Sequence, residues 1–319
     1  VLSRVAPVTP TAFRWRAWPV CLPLLSIAPR KFSETWNPAN TRPERHVWRA
    51  AKVPPGRGKR LSLDSLNKLN LVRSLEQRYP TLEEAGCKVG IGVATGADRV
   101  FIADYDSLDV EEDRKLRLAM PKDIQDGEMV WGGKAVLNPF NEDGSLVDLD
   151  RCPKLKAYLM SWEDVLKRRH VAKKSPNRWY KTIDRITPSL ASKEKLLIPD
   201  IRGGAVIAHE AGGLYPHHNL YYVTSAGWDL RALQAILRSD IAKLFIEAYS
   251  TRMRGGYLRF QAQYLRKIRL PRWEDVNPSL RERLVRAGGT LMGDELNLLV
   301  SELYELTQSD LQALQEVGV

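Results

Sequence analysis

Cysteine, histidine and long apolar runs are what this sequence has least of. Its 319 residues include 3 cysteines and 5 histidines. Cys21, Cys87 and Cys152 lie far apart, form no Cys-x-x-Cys pair and are odd in number, which excludes a disulfide framework and a structural zinc site. A reducing, cytoplasmic setting is the resulting expectation. No stretch approaches the ~20 apolar residues that a membrane helix needs, so a transmembrane helical protein is excluded. A charge surplus is also missing from most of the chain, although the total is +11. Residues 1–60 hold 12 Lys and Arg against 2 Asp and Glu, which leaves 37 against 36 for the rest. The overall basicity therefore says nothing about nucleic acid; only local clusters can.

What is present is an ordinary globular composition, 44% hydrophobic and 27% charged, long enough for one large domain or two ordinary ones. Residues 1–60 stand apart: they carry 9 of the 19 prolines and 4 of the 9 tryptophans without helical or strand period, so they are expected to be poorly ordered. Arg4, Arg14 and Arg16 before the apolar run 17–28, which ends in Ser26-Ile27-Ala28, resemble a secretory signal, but two prolines in the run and Pro29 after it argue against that reading. The chain begins with Val1, not Met, which reads as a fragment edge or an atypical start.

From Leu61 onward the patterns are regular. Leu63, Leu66, Leu69, Val72 and Leu75 predict a helix that Pro80 closes, and Thr81 to Glu84 is a capping box. Segment 87–103 reads as a β-hairpin around a Gly-containing turn, and 134–140 as a strand before a turn at 141–144. Leu155, Tyr158, Leu159, Trp162, Val165 and Leu166 predict an amphipathic helix over 153–170. Strands are expected at 196–198, 205–208, 220–224 and 265–270. Helix is expected at 228–249, broken near Ser239-Asp240, and again through 277–317. Strands and helices without regular alternation define an α+β fold of small mixed or antiparallel sheets with packed helices, a helical C-terminal tail and a poorly ordered N-terminal segment.

Several catalytic patterns fail on spacing. Gly90 and Gly92 lack the third glycine that a nucleotide turn needs at position 95, which is Thr95. Asn138-Pro139-Phe140 resembles the Asn-Pro-Pro-aromatic motif of amino-methyltransferases but has only one proline. His209, His217 and His218, with Glu210 and Asp200, offer metal-ligand types, yet Gly213 stands where a helical HExxH would need its second histidine. Loop histidines donating to backbone or phosphate are the favoured reading there. No Glu-x-Lys follows Pro199-Asp200, which removes nuclease chemistry.

Two basic clusters remain. The first runs from Lys167 through Arg168, Arg169, Lys173, Lys174, Arg178 and Lys181 to Arg185 around Trp179 and Tyr180. The second holds Arg252, Arg254, Arg259, Arg266, Lys267, Arg269 and Arg272 around Gly255-Gly256-Tyr257, with Gln261 and Gln263 nearby. Long cations on loops reach phosphates, Gly-Gly permits close backbone approach, and Gln and aromatic groups suit base edges and stacking. The candidate DNA-binding residues are therefore Lys173, Lys174, Arg178, Trp179, Lys181, Arg252, Arg254, Gly255, Gly256, Tyr257, Arg259 and Gln261. Trp179 and Tyr257 are read as packing or stacking groups, and Leu258 and Phe260 as core.

The sequence GGYLRFQAQYLRKIRLPR at 255–272 resembles the closing signature of the TaqI-like specificity domain, the target-recognition module of adenine-specific DNA methyltransferases in restriction-modification systems. GIGVATGADRVFIA at 90–103, KLLIPDI at 195–201, LYPHHNLYYV at 214–223 and the helix at 229–248 agree in order. The resemblance spans about residues 61–275. It implies that this segment reads double-stranded DNA while a separate methyltransferase domain or subunit, binding S-adenosylmethionine, flips and methylates adenine. The cofactor glycines and the Asn-Pro-Pro-aromatic tetrapeptide that precede such a module are absent from residues 1–60. The expectation is therefore a recognition domain at 61–275 with a helical extension at 276–319, no cofactor in this chain, and no methyl transfer by the chain alone. The alternatives are a degenerate S-adenosylmethionine-dependent transferase and a scaffold that docks on a methylase through the helices after Asn277.

Overall fold

The computed structural model describes residues 63–200, 206–250 and 259–315. Segment 1–60, with its signal-like run and expected lack of order, lies outside the described residues. The first part runs α1 (Leu63–Arg78), β1 (Cys87–Ile91), α2 (Asp98–Phe101), β2 (Ile102–Asp104), β3 (Lys115–Ala119), β4 (Ile124–Gln125), β5 (Glu128–Met129) and β6 (Lys134–Leu137). Then follow α3 (Pro153–Ser161), α4 (Glu163–Lys167), α5 (His170–Lys174), β7 (Lys195–Pro199), β8 (Ala208–Glu210), β9 (Tyr215–Pro216) and β10 (Leu220–Ser225). Helices α6 (Leu230–Arg238), α7 (Asp240–Tyr249), α8 (Ala262–Leu265), α9 (Pro278–Ala287), α10 (Gly293–Leu303) and α11 (Gln308–Gln315) complete the chain.

The strands form a six-stranded sheet in the order β1-β10-β7-β8-β5-β4 and a four-stranded sheet in the order β2-β6-β3-β9. Most pairs are antiparallel; β5 with β8 and β3 with β9 are parallel. Strand β7 is buried along its whole length. Its side chains alternate between two cores: Leu196 and Ile198 join the helical core, while Leu197 packs with Ala119, Ala208 and Leu220. A strand covered on both faces needs an unbroken apolar run, which explains the sequence LLI there.

The helical core takes Leu71, Val72 and Leu75 of α1, most of α6 and α7, and Leu284, Leu296, Val300 and Leu303 from α9 and α10. The C-terminal helices thus complete the same core as the six-stranded sheet. Asp229 caps α6, its carboxylate accepting from the backbone N–H groups of Arg231 and Ala232 at 2.8 and 3.1 Å. The second sheet packs Ala135 and Leu137 against Leu155, Leu159 and Leu166 of α3 and α4. No helix among the described residues is long and apolar enough to cross a membrane.

The α+β class with small mixed sheets and a helical C-terminal part is what the structure has. Three local expectations are corrected. Segment 87–103 is no hairpin, because β1 pairs with β10 and β2 with β6 in the other sheet. The 153–170 helix breaks at Trp162 into α3 and α4, and the next helix, α5, opens only at His170. Segment 265–270 has a single Thr81–Arg269 bridge instead of a strand; Leu265, Ile268 and Leu270 still enter the core. There two backbone hydrogen bonds, Leu82 to Ile268 at 2.9 Å and Leu270 to Pro80 at 3.0 Å, flank the bridge, and side chains add to them: Tyr304 donates to the Arg269 carbonyl at 2.6 Å and Trp228 to that of Pro271 at 3.2 Å.

Lys195 and Glu210 form an ion pair across β7 and β8 with side chains 0% and 5% exposed. Lys195 also donates to the Ala191 carbonyl, and burial lowers its pKa. A buried charge without its partner is strongly unfavourable. Glu210→Leu is expected to lower unfolding free energy by about 3–5 kcal/mol in urea titrations. The double variant with Lys195→Met should recover most of that loss.

Candidate nucleic-acid interface

The chain passes between the two sheets several times, and two of these crossings meet. Segment 92–97 leaves β1 for α2 and β2, and 217–219 returns from β9 to β10. The crossings are zipped by backbone hydrogen bonds: Gly92 to Leu220 and Val93 to Pro216 at 2.9 Å, and His218 to Val93 at 3.1 Å. On one flank Ile183 donates to Thr95 at 3.2 Å and Asp184 to Ala94 at 3.0 Å; on the other Asp200 donates to Asn219 at 3.3 Å and Phe260 to Asp200 at 3.2 Å. Backbone hydrogen bonds therefore run without a break from the end of the first basic cluster to the described part of the second.

The glycines of this crossing serve packing. A Cβ on Gly90 would lie 2.2 Å from the Tyr222 ring, and one on Gly92 would lie 2.2 Å from the His217 carbonyl oxygen. Protein atoms fill the space that a phosphate or methionine cofactor would need. Asn138 is equally closed: fully buried, it accepts from the Phe140 N–H and donates to the Phe140 carbonyl, both at 3.0 Å. Neither segment fits S-adenosylmethionine or a flipped base.

Lys173 and Lys174 occupy the last turn of α5, and Arg178 follows in a short turn; all three are exposed and have no ion pair among the described residues. Lys181 and Trp179 are half-buried. Trp179 packs on the core of the second sheet, edge-on to Tyr180 at 5.7 Å, with Lys167 over its ring. Arg259 is about one-third exposed and pairs with Asp200 at 2.5 Å. Gln261 is half-buried beside it. Arg252, Arg254, Gly255, Gly256 and Tyr257 lie outside the described residues. Phe260 is core, as expected.

Several other cations of the clusters hold the structure together. Arg169 donates to the carbonyls of Thr95, Trp179 and Lys181 at 3.1, 2.7 and 2.8 Å, and its guanidinium lies over the Phe101 ring. Burial lowers its pKa. Arg266 binds Glu83 and the Val89 carbonyl, and Arg269 approaches Glu84. Nothing in the run Lys167-Arg168-Arg169 marks the third as the pin, because only the fold decides which cation meets the carbonyls.

The residues that offered metal-ligand types in the sequence are dispersed: His209 pairs with Glu194, Glu210 with Lys195 and Asp200 with Arg259. Asp98 instead joins His217 and His218, with ligand atoms within 4.8 Å of one another. His217 Nδ1 accepts from the Asn219 N–H at 3.3 Å, so the ring proton sits on Nε2, 3.6 Å from the Asp98 carboxylate. Thr95 donates to the other oxygen of Asp98 at 2.5 Å, completing a link between the crossings and α2.

Residues 148–270 match the model of the TaqI-like C-terminal specificity domain. Among curated relatives, the type II methyltransferase M.PaeR7I of Pseudomonas aeruginosa is 58% identical over 252 residues, 79% of this chain and 44% of that protein. The type II methyltransferase M.XhoI of Xanthomonas vasicola is 55% identical over 248 residues, 78% of this chain and 45% of that protein. The chain thus spans under half the length of these relatives. Of solved structures, the type IIG restriction endonuclease BpuSI superposes with a TM-score of 0.52 at 16% identity, covering 79% of this chain and 32% of that one, a likeness of fold.

Burial holds the His217 pKa below its ordinary value, the neighbouring His218 lowers it further, and Asp98 opposes both. The unfolded chain, with an ordinary histidine near about 6.5, takes up a proton that the native state refuses, so stability falls as pH drops through that range. His217→Gln is expected to flatten the decline in melting temperature between pH 7 and 5.5, read by circular dichroism.

Proposed function

We propose that this chain is the DNA-target-recognition part of an adenine-specific type II methyltransferase of a restriction-modification system. The observation that carries this reading is that the specificity-domain match at 148–270 encloses nearly all of both basic clusters. High identity to two type II methyltransferases over about four-fifths of the chain supports it. Lys173, Lys174 and Arg178, exposed and unpaired among the described residues, would neutralise phosphates on one side of a duplex, with Lys181 beside them. Arg252, Arg254 and the Gly255-Gly256 backbone would do so on the other, with Tyr257 and Trp179 as packing or stacking groups. Arg259 and Gln261 then face base edges in the major groove.

Methyl transfer from S-adenosylmethionine would belong to the part of the relatives that this chain does not span. A methyltransferase domain or subunit is accordingly the protein partner, and the cytoplasm the setting. Residues 61–275 would form the recognition domain and 276–319 its helical extension.

Phosphate contacts impose a linear dependence of log affinity on log salt. In fluorescence anisotropy with a labelled random-sequence duplex, Arg178→Ala should weaken binding of the full chain several-fold at low salt and reduce the salt slope by about 1. A wild-type chain that leaves the duplex unbound at low salt overturns the proposal. Photocrosslinking of labelled S-adenosylmethionine to the chain would favour the degenerate-transferase alternative.

A further inference from the structure

Of the cations proposed to face DNA, Arg259 alone among the described residues is held by a carboxylate. Its Nη2 lies 2.5 Å from Asp200 Oδ2, with side chains 34% and 23% exposed. A carboxylate at that distance cancels most of the charge that a phosphate contact would use, so Arg259 is poorly suited to neutralising backbone. What the pairing supplies is orientation. The guanidinium is planar, and presenting its free Nη1 N–H to a guanine acceptor requires that plane to be set before the base arrives.

The surroundings of the pair fix it to rigid structure. The Asp200 backbone donates to Asn219 and accepts from Phe260, whose side chain is 3% exposed in the helical core. Asp200 follows the last residue of β7, and Asn219 precedes β10. With its amide oriented to satisfy both groups, the Gln261 carbonyl oxygen lies 2.9 Å from Nη2 and 3.2 Å from Nη1 of Arg259. A carboxylate and an amide thus grip the guanidinium. Asp200 Oδ1 and Arg259 Nε are both buried without a partner among the described residues.

We propose that Asp200 is a positioning residue that orients Arg259 to read a guanine in the major groove, so that the pair governs base choice and contributes little to non-specific affinity. This rests on the DNA-recognition reading above. The two clusters then have separate roles, in which the exposed cations Lys173, Lys174 and Arg178 at the end of α5 and just beyond it hold the duplex while the Asp200–Arg259 pair just past β7 selects sequence.

The test uses the full chain and a pool of duplexes with a randomised core, selected separately by wild type, Asp200→Asn and Arg259→Lys, and sequenced. Melting temperatures establish that each protein is folded; Asp200→Glu replaces Asp200→Asn if the latter is not, and Arg259→Lys keeps a cation beside the carboxylate. The wild type should enrich a motif with at least one guanine position, and both variants should relax that position by about tenfold or more while the other positions keep their preference. Affinity of Asp200→Asn for a random duplex should stay within about twofold or rise, since a negative charge is removed. An unchanged guanine preference in folded variants, or an equal loss at every position, overturns the role of the pair but leaves DNA recognition standing. A wild-type chain that enriches no motif removes sequence recognition itself, and this inference with it.

Discussion

The backbone ladder where the two sheets trade strands is the constraint on which the rest of the described structure depends. Gly92 and Val93 run against 216–220, and each crossing supplies the hydrogen-bond partners that the other lost on leaving its sheet. Buried backbone groups must be paired, so neither segment can move alone. The close approach leaves no room for side chains at Gly90 and Gly92. Thr95, Asp98 and His217 then lock the crossing by side-chain contacts, and Arg169 ties the first basic segment to it from the other side. The segments bearing the proposed DNA contacts are thus attached to one framework.

Electrostatics on this framework divide by partner rather than by sequence position. Neighbouring cations in the chain do different things: Arg168 is exposed, while Arg169 is drawn in to satisfy three carbonyls on segments that converge there. Arg266 and Arg269 brace the coil after α8 against Glu83, Glu84 and β1. The nearly neutral balance of residues 61–319 is consistent with this arrangement, since many cations are matched by acids in ion pairs. On the proposed reading, the cations that would grip DNA are a subset of those left without a matching acid, and their placement matters more than their number.

Much of the fold was legible because local signals and tertiary packing agree. The α1 helix, the Thr81–Glu84 capping box, the break at Ser239-Asp240 and the apolar stripe of α10 all reappear, since each is set by contacts within a few residues or by one buried face, although Leu66 and Leu69 of the expected α1 face are exposed and Leu71 is buried in their place. The 87–103 hairpin failed for the opposite reason. Alternating small and β-branched residues around a glycine turn specify extended chain, but strand partners are chosen at long range, and β10 and β6 outcompete the neighbour in sequence. Segment 265–270 likewise has strand-like alternation, but the alternate side chains go into a core built by α1 and the C-terminal helices.

By itself the sequence determined which residue types could meet DNA and that the familiar metal and nucleotide spacings were broken, because composition and spacing are properties of the chain alone. Only the tertiary structure decided that His217 turns its protonated Nε2 to Asp98, that Arg169 is a pin, and that Asp200 grips Arg259. The reason is physical: a charge or a ring nitrogen acquires its role from the partner a few ångströms away, and for Arg169 with Thr95 and Arg259 with Asp200 that partner lies 74 and 59 residues away along the chain.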